Sequence, residues 1–247
     1  SSAASDVYKR QAIILNPVGV QEVKLFSNGV KVILDYMDVI LDDYGRLIKY
    51  HEDAVKHADG VIFWSKALMC HVTSKYKVGS YTYIPYGIPL KEFNPRDFDS
   101  NWFRELYGLK NKFIVAYSGG IWRDKVTGRD LHGIDKLPIV FAKILEKLGD
   151  DVAFVVNCPY DRKLFSNFKR LGVMSRMIWI KPVKFNDPLR LGLYASSDVL
   201  TLTSSKFPAV YYAERMKTFE YMAACKAIVA ERTPGICGVL RHEDNAY

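Results

Sequence analysis

The densest grouping of side chains able to do chemistry runs from Glu214 to Glu231, ERMKTFEYMAACKAIVAE. Its pattern predicts a short helix, Met216 to Ala224, set between two strands. A helix start presents free N–H groups and the positive end of the dipole, so it favours an anion such as a diphosphate. Arg215 and Lys217 add positive charge there, and Glu220 lies one turn further along. A carboxylate only accepts hydrogen bonds, which suits the paired hydroxyls of a ribose or another sugar. An acid near a helix start is also expected for dipole reasons alone.

Other candidates carry more than one reading. In ILDYMDVILDD, Asp35 and Asp38 follow a strand end. Two acids there could bind metal or act as a general base, or they could mark a helix entrance with an N-cap. Asn16-Pro17 also follows a strand and is placed at the rim of a cleft beyond the carboxyl ends of the strands. Cys70, Cys158, Cys225 and Cys237 are scattered, without a CxxC pair or clustered histidines. That argues against a zinc site or a disulfide framework. Cys225 reads as a small buried residue rather than a nucleophile. Ser196, Ser204 and Ser205 have no nearby His–Asp context, so acyl transfer has no support.

The elements that must position these residues alternate along the chain. AIIL, KVILD, DGVIFW and YTYIP read as strands, and residues 44–58 are helical in spacing. The second half repeats the rhythm with FIVAYSGG, VAFVVN, MIWI, VLTLTS and AIVAE. Ile134, Leu137, Phe141, Ile144, Leu145 and Leu148 mark one helix face, which Gly149 can close. Asp187-Pro188 predicts an N-cap and first helical position, opening a helix to about Ser196. Such alternation implies an α/β fold of parallel sheets covered on both faces. IPYGIPLKEFNPRDFDS, residues 84–100, reads as a hinge between two Rossmann-like lobes, 12–92 and 93–247.

Composition sets the outer limits. The chain has 247 residues, 49% hydrophobic and 25% charged, as a soluble globular protein does. No apolar run approaches the roughly 18 residues that span a bilayer. The net charge of +8 admits nucleic acid, an anionic membrane surface or a phosphorylated ligand. The bases are interleaved with acids and form no block, so nucleic acid is not expected as a partner. FKRLGVMSRMIWIKPVK, residues 168–184, reads as a helix end, a turn and a core strand, or as a membrane-touching patch. Residues 1–11 stand apart: Asp6 to Gln11 can be written back as GAT GTG TAT AAG AGA CAG, resembling the transposon end used in sequencing libraries. They read as a translated adapter or as a disordered terminus.

ERMKTFEYMAACKAIVAE resembles the SPLKLFEYMAAGKPIVAS signature of GT-B glycosyltransferases of family 4, retaining enzymes that use nucleotide-sugar donors. Further segments follow in the family's order: DAVKHADGVIFWSKAL, YIPYGIPLKEFNP, FIVAYSGGIWRD with HGIDKL, and YASSDVLTLTSS. The resemblance implies a donor held mainly by the C-terminal lobe and sugar transfer with retention to a glycan, lipid-linked or other acceptor. The scattered cysteines point to a reducing cytoplasm, with peripheral contact at the inner face of the membrane as a further option. The resemblance matches Glu220 to the glutamate that holds the donor ribose, Gly119 and Gly120 to the turn approached by phosphates, and Met216, Lys217 and Thr218 to the helix-start amides. Of the family's basic pair, Arg123 matches the first; His132 occupies the second place, leaving Lys125 or Arg129 to substitute. Asp35, Asp38 and Asn16 fall near the cleft, and the leaving diphosphate is neutralised by a helix dipole and basic side chains without metal. The family's lobes extend further than this chain at both ends, so the sequence reads as a fragment.

Departures bear on activity. The family's first glutamate position is Tyr212 here, leaving Glu214 as the nearest acid and the candidate catalytic carboxylate. Arg215, Cys225, Ala227 and Tyr86 stand where the family has proline, glycine, proline and asparagine. Two alternatives follow: a non-catalytic relative that binds nucleotide sugar, or a basic module that binds membrane or nucleic-acid surfaces.

Overall fold

A computed structural model describes residues 11–15, 17–26, 29–37, 39–244 and 246. Asn16, Asp38 and residues 1–10 lie outside the described residues. The chain forms two compact units, one reaching Tyr86 and including Phe207–Glu214, the other Gly87–Lys206 with Arg215 onward. The sequence reading divides the chain between residues 92 and 93; the units change at Tyr86–Gly87, and the segment 207–214 belongs with the first.

The first unit is a parallel sheet in the order β1-β2-β3-β4, built from β1 (Gln11–Ile14), β2 (Lys31–Tyr36), β3 (Gly60–Phe63) and β4 (Ser80–Tyr83). Helices α1 (Gly19–Phe26), α2 (Lys49–His57) and α3 (Lys66–Thr73) connect the strands. Val32, Leu34 and Tyr36 of β2 are fully buried, as expected of an inner strand covered on its faces. The expected helix over 44–58 begins only at Lys49. Before it, Asp42 Oδ1 accepts from the backbone of Tyr44 and Arg46 at 2.9 and 2.8 Å, and Leu41 pairs with Leu47. The short acid competes with the helix for backbone donors and holds a turn instead.

The second unit is a five-stranded parallel sheet in the order β7-β6-β5-β8-β9. Its strands are β5 (Phe113–Ser118), β6 (Val152–Asn157), β7 (Met177–Ile180), β8 (Val199–Leu202) and β9 (Ala227–Ala230). Around them lie α4 (Ser100–Leu106), α5 (Leu137–Leu148), α6 (Arg162–Arg170), α7 (Pro188–Ser196) and α9 (Met216–Ala223), with α10 (Pro234–Cys237) after β9. The short α8 (Pro208–Tyr211) belongs to the first unit. All six residues of β6 are buried. Asp187 caps α7 by accepting from Leu189 N at 2.9 Å, as the Asp-Pro pair predicts. Burial of the α5 face fades along the helix: Ile134, Leu137 and Phe141 are buried, whereas Leu148 is 46% exposed. Phe141 stacks on Phe154 at 4.3 Å, and it is this first half of α5 that the aromatic cluster covers. Residues 168–184 form a helix end, a 3-10 turn and β7, an edge strand whose residues are half-buried except Ile180. Among the described residues no helix is long and apolar enough to cross a membrane.

Candidate functional site

In the second unit the strand order reverses beside β5, with β6 on one side and β8 on the other. Ligands of open parallel sheets bind beyond the carboxyl ends of strands at such a point. A cleft of about 140 Å³ lies there, lined by Ser118, Gly119, Gly120, Asn157, Arg190 and Lys217 among others. Its floor is fixed by backbone: Gly119 N donates to Asn157 O at 2.8 Å, and Ser118 N donates to Tyr221 Oη at 3.0 Å.

Gly119 is small for a packing reason. A Cβ there would lie 2.4 Å from Tyr117 Oη and 2.6 Å from Lys217 Cε, so any side chain would displace the lysine that lines the cleft. Gly120 meets nothing within 4 Å and leaves open space at the mouth. Lys217 is half-buried, and burial pulls its ammonium down to about 8, with Arg215 and Arg190 adding repulsion and Glu220 opposing the shift. An anion entering the cleft would relieve that desolvated charge.

Glu220 is fully buried on α9. Its Oε2 accepts from Arg190 Nη2 at 2.6 Å and from Tyr194 Oη at 2.7 Å. Its Oε1 has no partner, and neither do Arg190 Nε and Thr218 Oγ1. Burial and the neighbouring Glu220 charge hold the Tyr194 phenol well above its ordinary range, so it stays a donor. Buried polar atoms are normally bonded, and a carboxylate oxygen left over beside a cleft has capacity for a ligand hydroxyl.

Arg215 precedes α9 and donates to Thr203 O, while Met216 is exposed. His132 Nδ1 donates to Gly120 O at 3.2 Å, and burial, reinforced by Arg215, pushes its imidazole down to about 4. The ring is neutral near pH 7 and supplies no charge where the family has a lysine.

Other expected site residues are committed elsewhere. Arg123 is clasped by two carboxylates: Nε and Nη2 donate to Asp161 at 2.7 and 2.8 Å, and Nη1 and Nη2 to Asp135 at 3.1 and 2.7 Å. Its charge is answered within the fold, which leaves it a brace rather than a phosphate ligand. Lys125 is exposed on a turn that Asp124 organises through Val126 N and Thr127 N. Glu214 belongs to the first unit, where Oε1 accepts from Lys66 N at 2.8 Å and Oε2 from Tyr83 Oη at 2.6 Å. Both its oxygens serve the start of α3 and the end of β4, which is a structural use of the expected catalytic acid. Asp35 accepts from Trp64 Nε1. Among the described residues no group of three or more His, Cys, Asp and Glu is placed to hold a metal ion. Cys225 is exposed, not buried, and its φ of +52° explains the family's glycine there, since glycine adopts that region freely.

Sequence reasoning missed Arg190, Tyr194 and Asn157. Arg190 and Tyr194 stand four apart on the helix that Asp187 caps, a spacing that puts both on one face. A larger hollow of about 620 Å³ is lined by residues of α10 and the segment after it, including Arg232, Ile236 and Leu240. None of the three unpartnered buried atoms belongs to its lining.

No family model matches the sequence, and no curated protein matches it. Solved structures do match. HepE (Alr3699) of Anabaena, solved with UDP and glucose, superposes with a TM-score of 0.73 at 15% identity, over 99% of this chain and 66% of its own. A glycosyltransferase from Rickettsia africae gives 0.71 at 13% identity, over 99% and 64%. A variant of S. aureus TarM, solved with fondaparinux, α-GlcNAc-glycerol and UDP, gives 0.70 at 12% identity, over 96% and 44%. The chain thus spans less than two thirds of the length of each of these proteins. At these identities the likeness establishes architecture: the chain has the α/β, GT-B-like fold, two Rossmann-like units with parallel sheets.

Proposed function

We propose that the chain carries the donor site of a retaining glycosyltransferase of the family 4 type, which moves a sugar from a UDP- or GDP-sugar to a glycan or lipid-linked acceptor. The observation that carries this reading is the buried, half-used carboxylate of Glu220 behind a cleft that also presents a desolvated lysine. Glu220 Oε1 would accept from a ribose hydroxyl. The amides that open α9, with Lys217 and the nearby Arg215, would bear the charge of the diphosphate, which grows as the sugar departs. Held in a cleft with little water, such groups stabilise developing charge strongly. In this reaction class the leaving diphosphate helps to deprotonate the acceptor on the same face, so retention requires no covalent enzyme nucleophile. HepE and the TarM variant, both solved with UDP, share the fold and support the choice of ligand class. We place the protein in the cytoplasm, peripheral to the membrane where its acceptor is lipid-linked; its four free cysteines suit a reducing compartment.

A thermal-shift screen with UDP, GDP, ADP and their sugar conjugates tests the reading, beside Glu220→Gln. One nucleotide should raise the melting temperature; at 100 times the dissociation constant it adds about 2.7 kcal/mol. The variant should show a smaller rise. A cooperative melt that no nucleotide moves refutes the donor site. A second reading, a non-catalytic nucleotide-sugar binder, is favoured by Tyr212 at the first-glutamate place and by the engagement of Glu214 with Lys66 and Tyr83. Glycosyl transfer to a defined acceptor eliminates it.

A further inference from the structure

The loops after β5, β6, β7 and β8 all emerge at the carboxyl end of one parallel sheet. The loop after β5 is a tied hairpin. Arg123 bridges antiparallel to Asp130, Asp124 N donates to Arg129 O at 2.9 Å, and Leu131 N donates to Trp122 O at 2.8 Å. At its tip Val126 is 93% exposed, more than any other large apolar side chain among the described residues. Trp122 on the stem is 45% exposed, and Tyr160 after β6 is 63% exposed.

Charge is sorted across the same loops. Asp124 is turned onto Val126 N and Thr127 N, Asp130 onto His132 N and Gly133 N, and Asp187 onto Leu189 N. Asp135 and Asp161 engage Arg123, and Glu231 engages Lys136. Lys125, Lys181, Lys184 and Lys206, by contrast, are exposed and stand in no ion pair. Lys181 and Lys184 belong to the basic stretch 168–184, whose Met177, Ile178 and Trp179 are taken up by β7. Acids therefore face the fold at this end of the sheet, and lysines face outward beside exposed apolar and aromatic side chains.

We propose that this carboxyl-end surface of the second unit docks on an anionic lipid bilayer. Val126 and Trp122 enter the interface, where indole rings are favoured, and the lysines meet acidic headgroups. Each lysine close to such a surface adds about fivefold to the affinity. A tip already fixed by its own hydrogen bonds loses little freedom on docking. A nucleic acid or an anionic glycan would also attract the lysines but offers no apolar medium to Val126, which is why the bilayer is favoured. The assignment gives the peripheral contact a face, and it stands whether or not the cleft takes a nucleotide sugar.

Co-sedimentation of the full chain with vesicles tests the face. Phosphatidylcholine vesicles with about one-third phosphatidylglycerol should bind it at least about tenfold more tightly than phosphatidylcholine alone. The preference should vanish toward about 1 M salt, where screening acts within about 3 Å. Val126→Asp should weaken binding to the anionic vesicles at least about fivefold with an unchanged melting temperature, because the side chain is exposed. Lys181→Glu, Lys184→Glu and Lys206→Glu together should remove the preference for anionic lipid. Brominated lipid should quench tryptophan emission in the wild type and much less in Trp122→Phe. Equal binding to both vesicle types, or none, overturns the proposal. Anionic binding that survives the Val126 and lysine variants overturns it too, since another face then makes the contact. Retention on heparin or duplex DNA without vesicle binding overturns it in favour of a polyanion. Nucleotide-induced shifts in melting temperature are read separately, so the failure of either reading leaves the other in place.

Discussion

Replacing Gly133 by alanine probes how tightly the loops at the carboxyl ends of β5 and β8 are joined. Gly133 has φ +78°, and a Cβ there would lie 1.9 Å from Ser204 O and 2.5 Å from the carbonyl carbon of Ser204. The left-handed conformation alone costs an alanine about 1–2 kcal/mol. The collision adds to that, because the atom met is backbone and no rotamer change relieves it. That backbone is also held: Lys136 Nζ donates to Ser204 O at 2.9 Å, and Ser204 N donates to Glu231 Oε2 at 2.5 Å. Shifting Ser204 far enough to admit a methyl group strains both bonds, each worth about 1.5–3 kcal/mol because a charged partner is involved. A total of about 3–5 kcal/mol follows, at the severe end for one substitution.

Two glycines nearby separate the contributions. Gly128 has φ +67° but nothing within 4 Å, so Gly128→Ala should cost only about 1–2 kcal/mol. Gly120 has no positive φ and no neighbour within 4 Å, so its alanine variant should lie within about 0.5 kcal/mol of wild type. Urea unfolding followed by tryptophan fluorescence measures all three, since Trp102, Trp122 and Trp179 lie in the same unit. The order Gly133, Gly128, Gly120 is the expected result. Equal losses at Gly133 and Gly128 would refute the tight joint and show that the Ser204 loop yields freely.

Arg123→Ala should destabilise by about 1.5–3 kcal/mol, because Asp135 and Asp161, both half-buried, lose the arginine that joins them and keep Lys163 and Leu164 N as partners; unchanged urea midpoints with lost nucleotide binding would instead return Arg123 to the donor site. Lys217, held at about 8, is protonated below that pH, so nucleotide affinity should be greatest there and fall as pH rises from about 8 to 9.5. Lys217→Arg, charged throughout, should flatten that profile in calorimetry; a wild-type profile that is already flat would refute the assignment. Burial holds the His51 imidazole at about 4, so the folded state favours the neutral ring. Its contribution to stability is complete above the unfolded value of about 6.5 and is lost as pH falls from there toward 4. His51→Gln should shallow the loss of unfolding free energy between pH 6.5 and 4.5, and identical slopes would count against it.

The parts of this fold visible in the sequence are those set by short-range rules. Asp187-Pro188 started α7 because the cap and the proline act on their own turn, and the β-branched runs became strands because each can be buried on both faces. The 44–48 segment escaped because helical spacing is only a pattern of side chains, while Asp42 competes for the backbone itself. Long-range electrostatics were least visible. Nothing near Arg123 in the sequence announces Asp161, thirty-eight residues on, as its partner. Likewise Glu214 looks available as a catalytic acid until Lys66 and Tyr83 are brought to it by the first unit.

Charged side chains in this chain therefore sort by how completely the fold answers them. Arg123 spends four of its five N–H donors on protein carboxylates and both oxygens of Glu214 are engaged by protein donors, which leaves each less for a ligand. Glu220 and Arg190 are bonded to each other but each keeps one buried atom unmatched. Lys217 keeps its charge in a place that disfavours it. Unmet capacity of this kind costs about 1–3 kcal/mol per buried neutral group and more for a charged one. Three instances on two neighbouring helices, all within the same unit as the β5 cleft, are the features on which the proposed donor site rests. A sequence displays the residue types but not their saturation. That is why the resemblance could name Glu220, whereas only the packed structure could separate it from Glu214.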